Sequence, residues 1–82
     1  MRLVVTGAAG FLGKALTARL LRARGADQIV LLDRVTPDAP ADARFAAAAL
    51  DLTDHAGLRE AVLDADQVIQ LAAIPGGEAE AD

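Results

Sequence analysis

Three glycines and one aspartate carry the chemistry that can be read first. Thr6-Gly7-Ala8-Ala9-Gly10-Phe11-Leu12-Gly13 places glycines at 7, 10 and 13, between an apolar run and a stretch of helical character. Gly7 allows a tight turn out of a strand. Gly10 lets the backbone come close to a pyrophosphate, and Gly13 lets the following helix pack closely. The backbone N–H groups of Phe11 and Leu12, at the helix start, face an anion with the helix dipole behind them. Asp33 stands 20 positions after Gly13. At the end of a second strand its carboxylate can accept hydrogen bonds from an adenosine ribose 2′-hydroxyl. Together these residues read as a dinucleotide site. The carboxylate repels a 2′-phosphate, which favours NAD over NADP. Arg34 pulls the other way, because a guanidinium pairs well with a phosphate.

Blander readings stand beside this one. A glycine-rich turn can be purely structural, and Asp33 can be a solvated strand end. The strand–turn–helix context and the spacing to Asp33 weigh against both. A P-loop is excluded, because no Gly-Lys-Ser/Thr follows and Lys14 is the one lysine. His55 reads as an exposed residue at a helix start, not a metal ligand or base. Lys14, Arg19, Arg22 and Arg24 read as a solvated helix face. Glu78, Glu80 and Asp82 have no evident partner for a metal, so no metal site is expected.

The elements that must position these residues follow from periodicity. Arg2–Thr6 is a buried strand, and residues 7–10 form its turn. Residues 11–24 predict a helix, with Gly25 suited to a left-handed cap. Gln28–Asp33 is apolar on both faces, as a parallel strand covered by helices requires. Residues 34–42 hold two Pro and two Asp and read as a loop. Residues 43–50 are ambiguous: four consecutive Ala favour helix, while the position between two units favours a strand, which is the reading taken. Thr53 or Asp54 can cap a helix over 55–63, with Leu58, Ala61 and Val62 inward. Residues 66–73 predict another strand, broken by Pro75-Gly76-Gly77. The order β-α-β, loop, β-α-β is half of a doubly wound Rossmann α/β fold. A parallel sheet ordered 3-2-1-4 with right-handed connections is expected.

Composition narrows the classes. The chain has 82 residues, net charge −4, no Cys, Trp or Tyr, and two Phe. Lack of Cys excludes a disulfide-stapled domain and a thiolate metal site. An acidic chain without stacking aromatics argues against nucleic acid as a partner. Its aliphatic content argues against a disordered tail. No apolar run is long enough to span a membrane, and the start is too short for a signal peptide, so a cytoplasmic protein is expected. Alanine supplies 20 residues of the 54% hydrophobic content and little apolar area. The core is therefore small, which points to unusually good packing or to part of something larger.

Thr6-Gly7-Ala8-Ala9-Gly10-Phe11-Leu12-Gly13 resembles the T-G-x-x-G-x-[LI]-G signature of extended short-chain dehydrogenase/reductases, relatives of the sugar-nucleotide epimerases and dehydratases. Asp51-Leu52-Thr53-Asp54 resembles that family's D-L-x-D turn after the third strand. Residues 68–73, Val-Ile-Gln-Leu-Ala-Ala, resemble its V-x-H-L-A-A fourth strand. The resemblance implies NAD as cofactor. It implies that Asp51 accepts from the adenine amino group and that the Leu52 backbone N–H meets a ring nitrogen. It implies that Leu71, Ala72 and Ala73 line the cofactor near its ribose and pyrophosphate. Gln70 replaces the usual His and keeps hydrogen-bonding capacity.

Residues 73–82 are similar to the matching segment of D-erythronate dehydrogenase-like proteins, which implies oxidation of a sugar acid or similar polyol as small-molecule substrate. A nucleotide-sugar 4-epimerase or dehydratase, and a non-catalytic nucleotide-binding module, are the alternatives. The family's catalysis uses a Ser/Thr and a Y-x-x-x-K pair, with Tyr as acid/base and Lys lowering its pKa. With no Tyr in the chain, no catalytic residue is assigned to it. Residues 1–82 are expected to be the N-terminal dinucleotide-binding half of a longer enzyme whose later helices form a homodimer. The fourth strand is then an open edge, and marginal stability or aggregation of the isolated chain is expected.

Overall fold

The computed structural model describes residues 1–71. Four parallel strands form one sheet in the order β3-β2-β1-β4, as expected. They are β1 (Arg2–Thr6), β2 (Gln28–Asp33), β3 (Phe45–Ala49) and β4 (Gln67–Gln70), joined through helices α1 (Phe11–Arg22) and α2 (His55–Val62). The first two strands begin and end where the sequence places them. The third and fourth are shorter than residues 43–50 and 66–73, and both helices stop one or two residues early. Ala72 and Ala73, at the end of the expected fourth strand, lie outside the described residues.

Alternation along the strands sorts the core. Leu3 and Val5 of β1 share a face with Ile29 and Leu31 of β2, and all four are buried. Leu16 and Leu20 of α1 pack against this cluster together with Phe45, Ala47, Ile69 and Leu71. Val4, Thr6 and Leu32 are buried on the opposite face. The chain steps from β1 to β2 in one direction and from β3 back to β4 in the other. Right-handed connections therefore put α1 and α2 on opposite faces. Leu58, Ala61 and Val62 of α2 are half-buried, and no residue of that helix is fully buried. Asp54 caps α2, its Oδ1 accepting from Gly57 N–H at 3.0 Å.

The alanine run is a strand because its backbone pairs with β2, Ile29 opposite Phe45 through Asp33 opposite Ala49. Pairing with a formed neighbour outweighs the modest helical preference of Ala. Among the described residues, no helix is long and apolar enough to cross a membrane.

The end of α1 corrects one expectation. Gly25 does not adopt a left-handed conformation. The helix instead stops at Ala23, in extended backbone, whose N–H donates to Arg19 O and Leu20 O. Its last carbonyls are taken by a distant side chain: Arg44 Nη1 donates to Ala23 O at 2.7 Å and Nη2 to Leu21 O at 2.8 Å. Asp42 holds that guanidinium in place, Nε to Oδ1 at 3.0 Å. Hydrogen bonds from Arg44 hold the Asp42 carboxyl below its ordinary value. The charged fork thus meets the negative end of the helix dipole. At the sheet's opposite edge from the glycine turn, the Met1 amine pairs with Asp27, whose carboxyl is likewise held low by that hydrogen bond.

Arg44→Ala is expected to lower the melting temperature at neutral pH, and Arg44→Lys to recover only part of the loss, since an ammonium cannot bridge two carbonyls and a carboxylate in one plane. A carboxyl depressed in the folded state contributes stability that is present above its unfolded value, about 3.9, and is lost as pH falls through the lower folded value. Thermal unfolding followed between neutral pH and pH 2 should show the wild type losing stability below about pH 4. The fall should be shallower in Arg44→Ala, where Asp42 keeps only its bond from the backbone N–H of residue 44.

Candidate functional site

The parallel register brings the sheet's C-terminal ends level. Thr6 lies opposite both Leu32 and Gln70, and Asp33 lies opposite Ala49. The residues that follow leave the sheet at one edge: Gly7 after β1, Asp33 and Arg34 at the end of β2, Asp51 and Leu52 after β3, and Leu71 after β4. Ligands of open parallel sheets sit at this edge. Leu50 N–H donates to Asp33 O at 2.7 Å and Leu71 N–H to Thr6 O at 2.9 Å, so the two outer strand ends are tied to the inner ones.

Each glycine of the turn has its own surroundings. Gly7 has φ 76°, a left-handed value that a side chain resists. A Cβ at Gly13 would lie 2.5 Å from Ala8 Cα and C, far inside contact distance, so α1 rests its first turn directly on the loop backbone. A Cβ at Gly10 would meet nothing closer than Gly7 O, at 3.7 Å. The protein itself therefore does not need a bare residue at 10.

Gly10 is the N-cap of α1 and supplies no side-chain cap, and the first turn holds no acidic residue. Among the described residues, the N–H groups of Phe11 and Leu12 have no hydrogen-bond partner. Both side chains are exposed, Phe11 at 86% and Leu12 at 62%. The helix end is thus a set of free donors with a positive dipole, open to an anion.

Asp33 is half-buried and faces the turn. Its Oδ2 accepts from Ala9 N–H at 2.9 Å and its Oδ1 from Arg34 N–H at 2.7 Å. Asp51 Oδ1 accepts from Thr53 N–H at 2.9 Å and from Thr53 Oγ1–H at 2.8 Å. These bonds, with a smaller contribution from the Arg34 charge, hold the Asp51 carboxyl below its ordinary value and keep it an acceptor. The structure so brings Gly7, Gly10, Phe11, Leu12, Asp33, Asp51, Leu52 and Leu71 to one edge. Asp33 is the member of that set bonded to the glycine turn.

Three features escape a sequence reading. Ala9, an unremarked x of the motif, is bonded to Asp33 through its backbone, which no residue type signals. Thr53 orients Asp51, and here the Asp-x-Thr spacing of an Asx turn was a usable signal. A third is Thr6, 2% exposed, whose Oγ1 has no hydrogen-bond partner among the described residues. Beside the site, an open cleft of about 670 Å³ lies between α1 and the loop after β2, lined by Ala8, Ala9, Lys14, Thr17, Val35 and Pro37 among others. Among the described residues, no three acidic, His or Cys groups stand close enough to hold a metal ion.

Residues 3–82 match the sequence profile of the NAD dependent epimerase/dehydratase family. The chain belongs to that family. Among curated members, it is 43% identical to D-erythronate dehydrogenase from Cupriavidus necator, with all of the chain and 28% of that protein aligned. It is 37% identical to D-erythronate dehydrogenase from Haemophilus influenzae, over all of the chain and 27% of that protein. The chain thus spans little more than a quarter of the length of these two relatives. A variant of uronate dehydrogenase from Agrobacterium tumefaciens, complexed with NAD, superposes with a TM-score of 0.75 at 36% identity, over 89% of this chain and 26% of that one. A dTDP-glucose 4,6-dehydratase from Streptomyces venezuelae superposes with a TM-score of 0.72 at 30% identity, over 90% and 27%. Family and fold are those that the three sequence motifs imply.

Gly13→Ala is expected to destabilise this family member by about 1–3 kcal/mol, the usual cost of overpacking, measurable by denaturant unfolding. Thr6→Val should leave stability level or raise it, because a methyl of the same shape replaces a hydroxyl with no partner. A clear loss of stability in Thr6→Val would show that the hydroxyl is satisfied in solution.

Proposed function

We propose that residues 1–82 are the dinucleotide-binding half of an NAD-dependent dehydrogenase that oxidises a sugar acid or similar polyol, with the catalytic and substrate-binding regions outside this sequence. The observation that carries this reading is the convergence at one sheet edge of unpartnered Phe11 and Leu12 N–H groups, the bare Gly10 and the Asp33 carboxylate. In this reading Phe11 and Leu12 N–H donate to the pyrophosphate, and Gly7 and Gly10 give it room. Asp33 accepts from the adenosine ribose. Asp51 and the Leu52 N–H meet the adenine, while Leu71, with Ala72 and Ala73 beyond it, lines the ribose and pyrophosphate. NAD would supply the hydride acceptor for the substrate's carbinol carbon. Likeness to two D-erythronate dehydrogenases and to a uronate dehydrogenase supports the sugar-acid class.

The likeness to a dTDP-glucose 4,6-dehydratase favours a second reading, a nucleotide-sugar epimerase or dehydratase. The two differ in the fate of the hydride. Steady accumulation of NADH by the full-length protein with a sugar acid supports the dehydrogenase; hydride returned to a nucleotide sugar supports the other.

The binding half is tested by calorimetric titration of NAD and NADP into the 82-residue chain and into Gly10→Ala. NAD should bind, and NADP about tenfold more weakly or worse, because the Asp33 carboxylate meets the 2′-phosphate. Gly10→Ala should melt near the wild-type temperature, since its Cβ meets only one atom at ordinary contact distance. It should nevertheless weaken NAD by about tenfold. A folded wild-type chain that binds neither nucleotide would sink the reading.

A further inference from the structure

Asp33 does more than end a strand. The glycine turn hangs from β2 by two hydrogen bonds. Ala8 N–H donates to the backbone oxygen of Leu32 at 3.1 Å, and Ala9 N–H donates to the Asp33 carboxylate at 2.9 Å across 24 residues of chain. The second is the charge-assisted one, and the stronger for it. Within the turn itself, Gly10 N–H reaches Gly7 O at 3.4 Å, close to the limit of a hydrogen bond. Gly10 then caps α1 with no side chain to steady it. The orientation of the free Phe11 and Leu12 N–H groups therefore depends on where Ala9 is held.

Resting on the nucleotide-binding reading above, we propose that Asp33 is a positioning residue for the phosphate-binding turn, acting through Ala9 N–H, in addition to its contact with ribose. The two roles are compatible. An ionised carboxylate offers about four acceptor directions, and Ala9 and Arg34 occupy two of them. The consequence concerns specificity. Removing Asp33 loosens the donors that grip the phosphates of NAD and NADP alike, so the substitution weakens NAD, and what NADP gains from relief of the repulsion at its 2′-phosphate is offset by the weaker hold on its pyrophosphate.

A ligand without ribose hydroxyls separates the roles. ADP and 2′,3′-dideoxy-ADP are titrated into the 82-residue chain, Asp33→Ala and Asp33→Asn. If Asp33 serves ribose alone, Asp33→Ala weakens ADP and leaves dideoxy-ADP at its wild-type affinity, which overturns the proposal. If it positions the turn, Asp33→Ala weakens both ligands, dideoxy-ADP by about tenfold, the scale of one hydrogen bond to a charged group. Asp33→Asn keeps a carbonyl acceptor for Ala9 N–H and should retain most of the dideoxy-ADP affinity. Hydrogen exchange of the Ala9 amide in the free chain decides the matter even if Asp33→Ala fails to fold. Protection in the wild type supports the latch. A freely exchanging Ala9 amide in a folded wild-type chain overturns it whatever the ligands do. A folded wild type with a protected Ala9 amide that binds neither ADP nor NAD overturns instead the nucleotide reading on which the proposal stands.

Discussion

Direct contact between the first turn of α1 and the backbone of Ala8 is the constraint on which the rest of this structure depends. It exists because Gly13 has no side chain; any Cβ there would sit 2.5 Å from Ala8 Cα. Contact at that point fixes where α1 begins and which way it runs. Leu16 and Leu20, one and two turns further on, then reach the cluster made by Leu3, Val5, Ile29 and Leu31. The same contact aims the unpaired N–H groups at the helix start over the sheet edge. Core packing and the placing of these N–H groups thus share one cause, and a larger residue at 13 disturbs both.

The parallel sheet supplies the second half of the site. Parallel strands in register all end at the same edge, so groups far apart in sequence arrive together: residue 7 after β1, 33 at the end of β2, 51 after β3 and 71 after β4. Acceptors and donors at that edge are then trimmed by local bonds. Asp33 is shared between the turn and Arg34. Asp51 is oriented by Thr53. Each keeps acceptor directions that these bonds do not use.

Burial is uneven across the sheet, and this divides the site into a firm part and a soft part. Leu3, Val4, Val5 and Thr6 of β1, and Ile29, Leu31 and Leu32 of β2, are almost wholly buried. The outer strands and α2 hold no fully buried residue. Val68 of β4 is 45% exposed. Elements with few buried contacts open more easily than the core. The glycine turn and Asp33 stand on the firm half; Asp51, Leu52 and Leu71 stand on the soft half.

The sequence by itself determined the two inner strands to the residue, the glycine turn between the first of them and its helix, the strand order and the family. These follow from local rules: β-branched and aliphatic runs make buried strands, glycine accepts the tight turn at position 7 most readily, and short connections bring successive units side by side. It left three things open, and each turned on a partner distant along the chain. Four alanines could not say strand or helix until β2 offered its backbone. Gly25 looked like the end of α1 until Arg44, 21 residues beyond Ala23, took the last carbonyls. The bond between Ala9 and Asp33 involves an amide that every residue but proline carries, so no residue type announces it. Tertiary structure decided these because a hydrogen bond across the fold depends on where two groups are brought, and sequence spacing constrains that only within a turn or a single element.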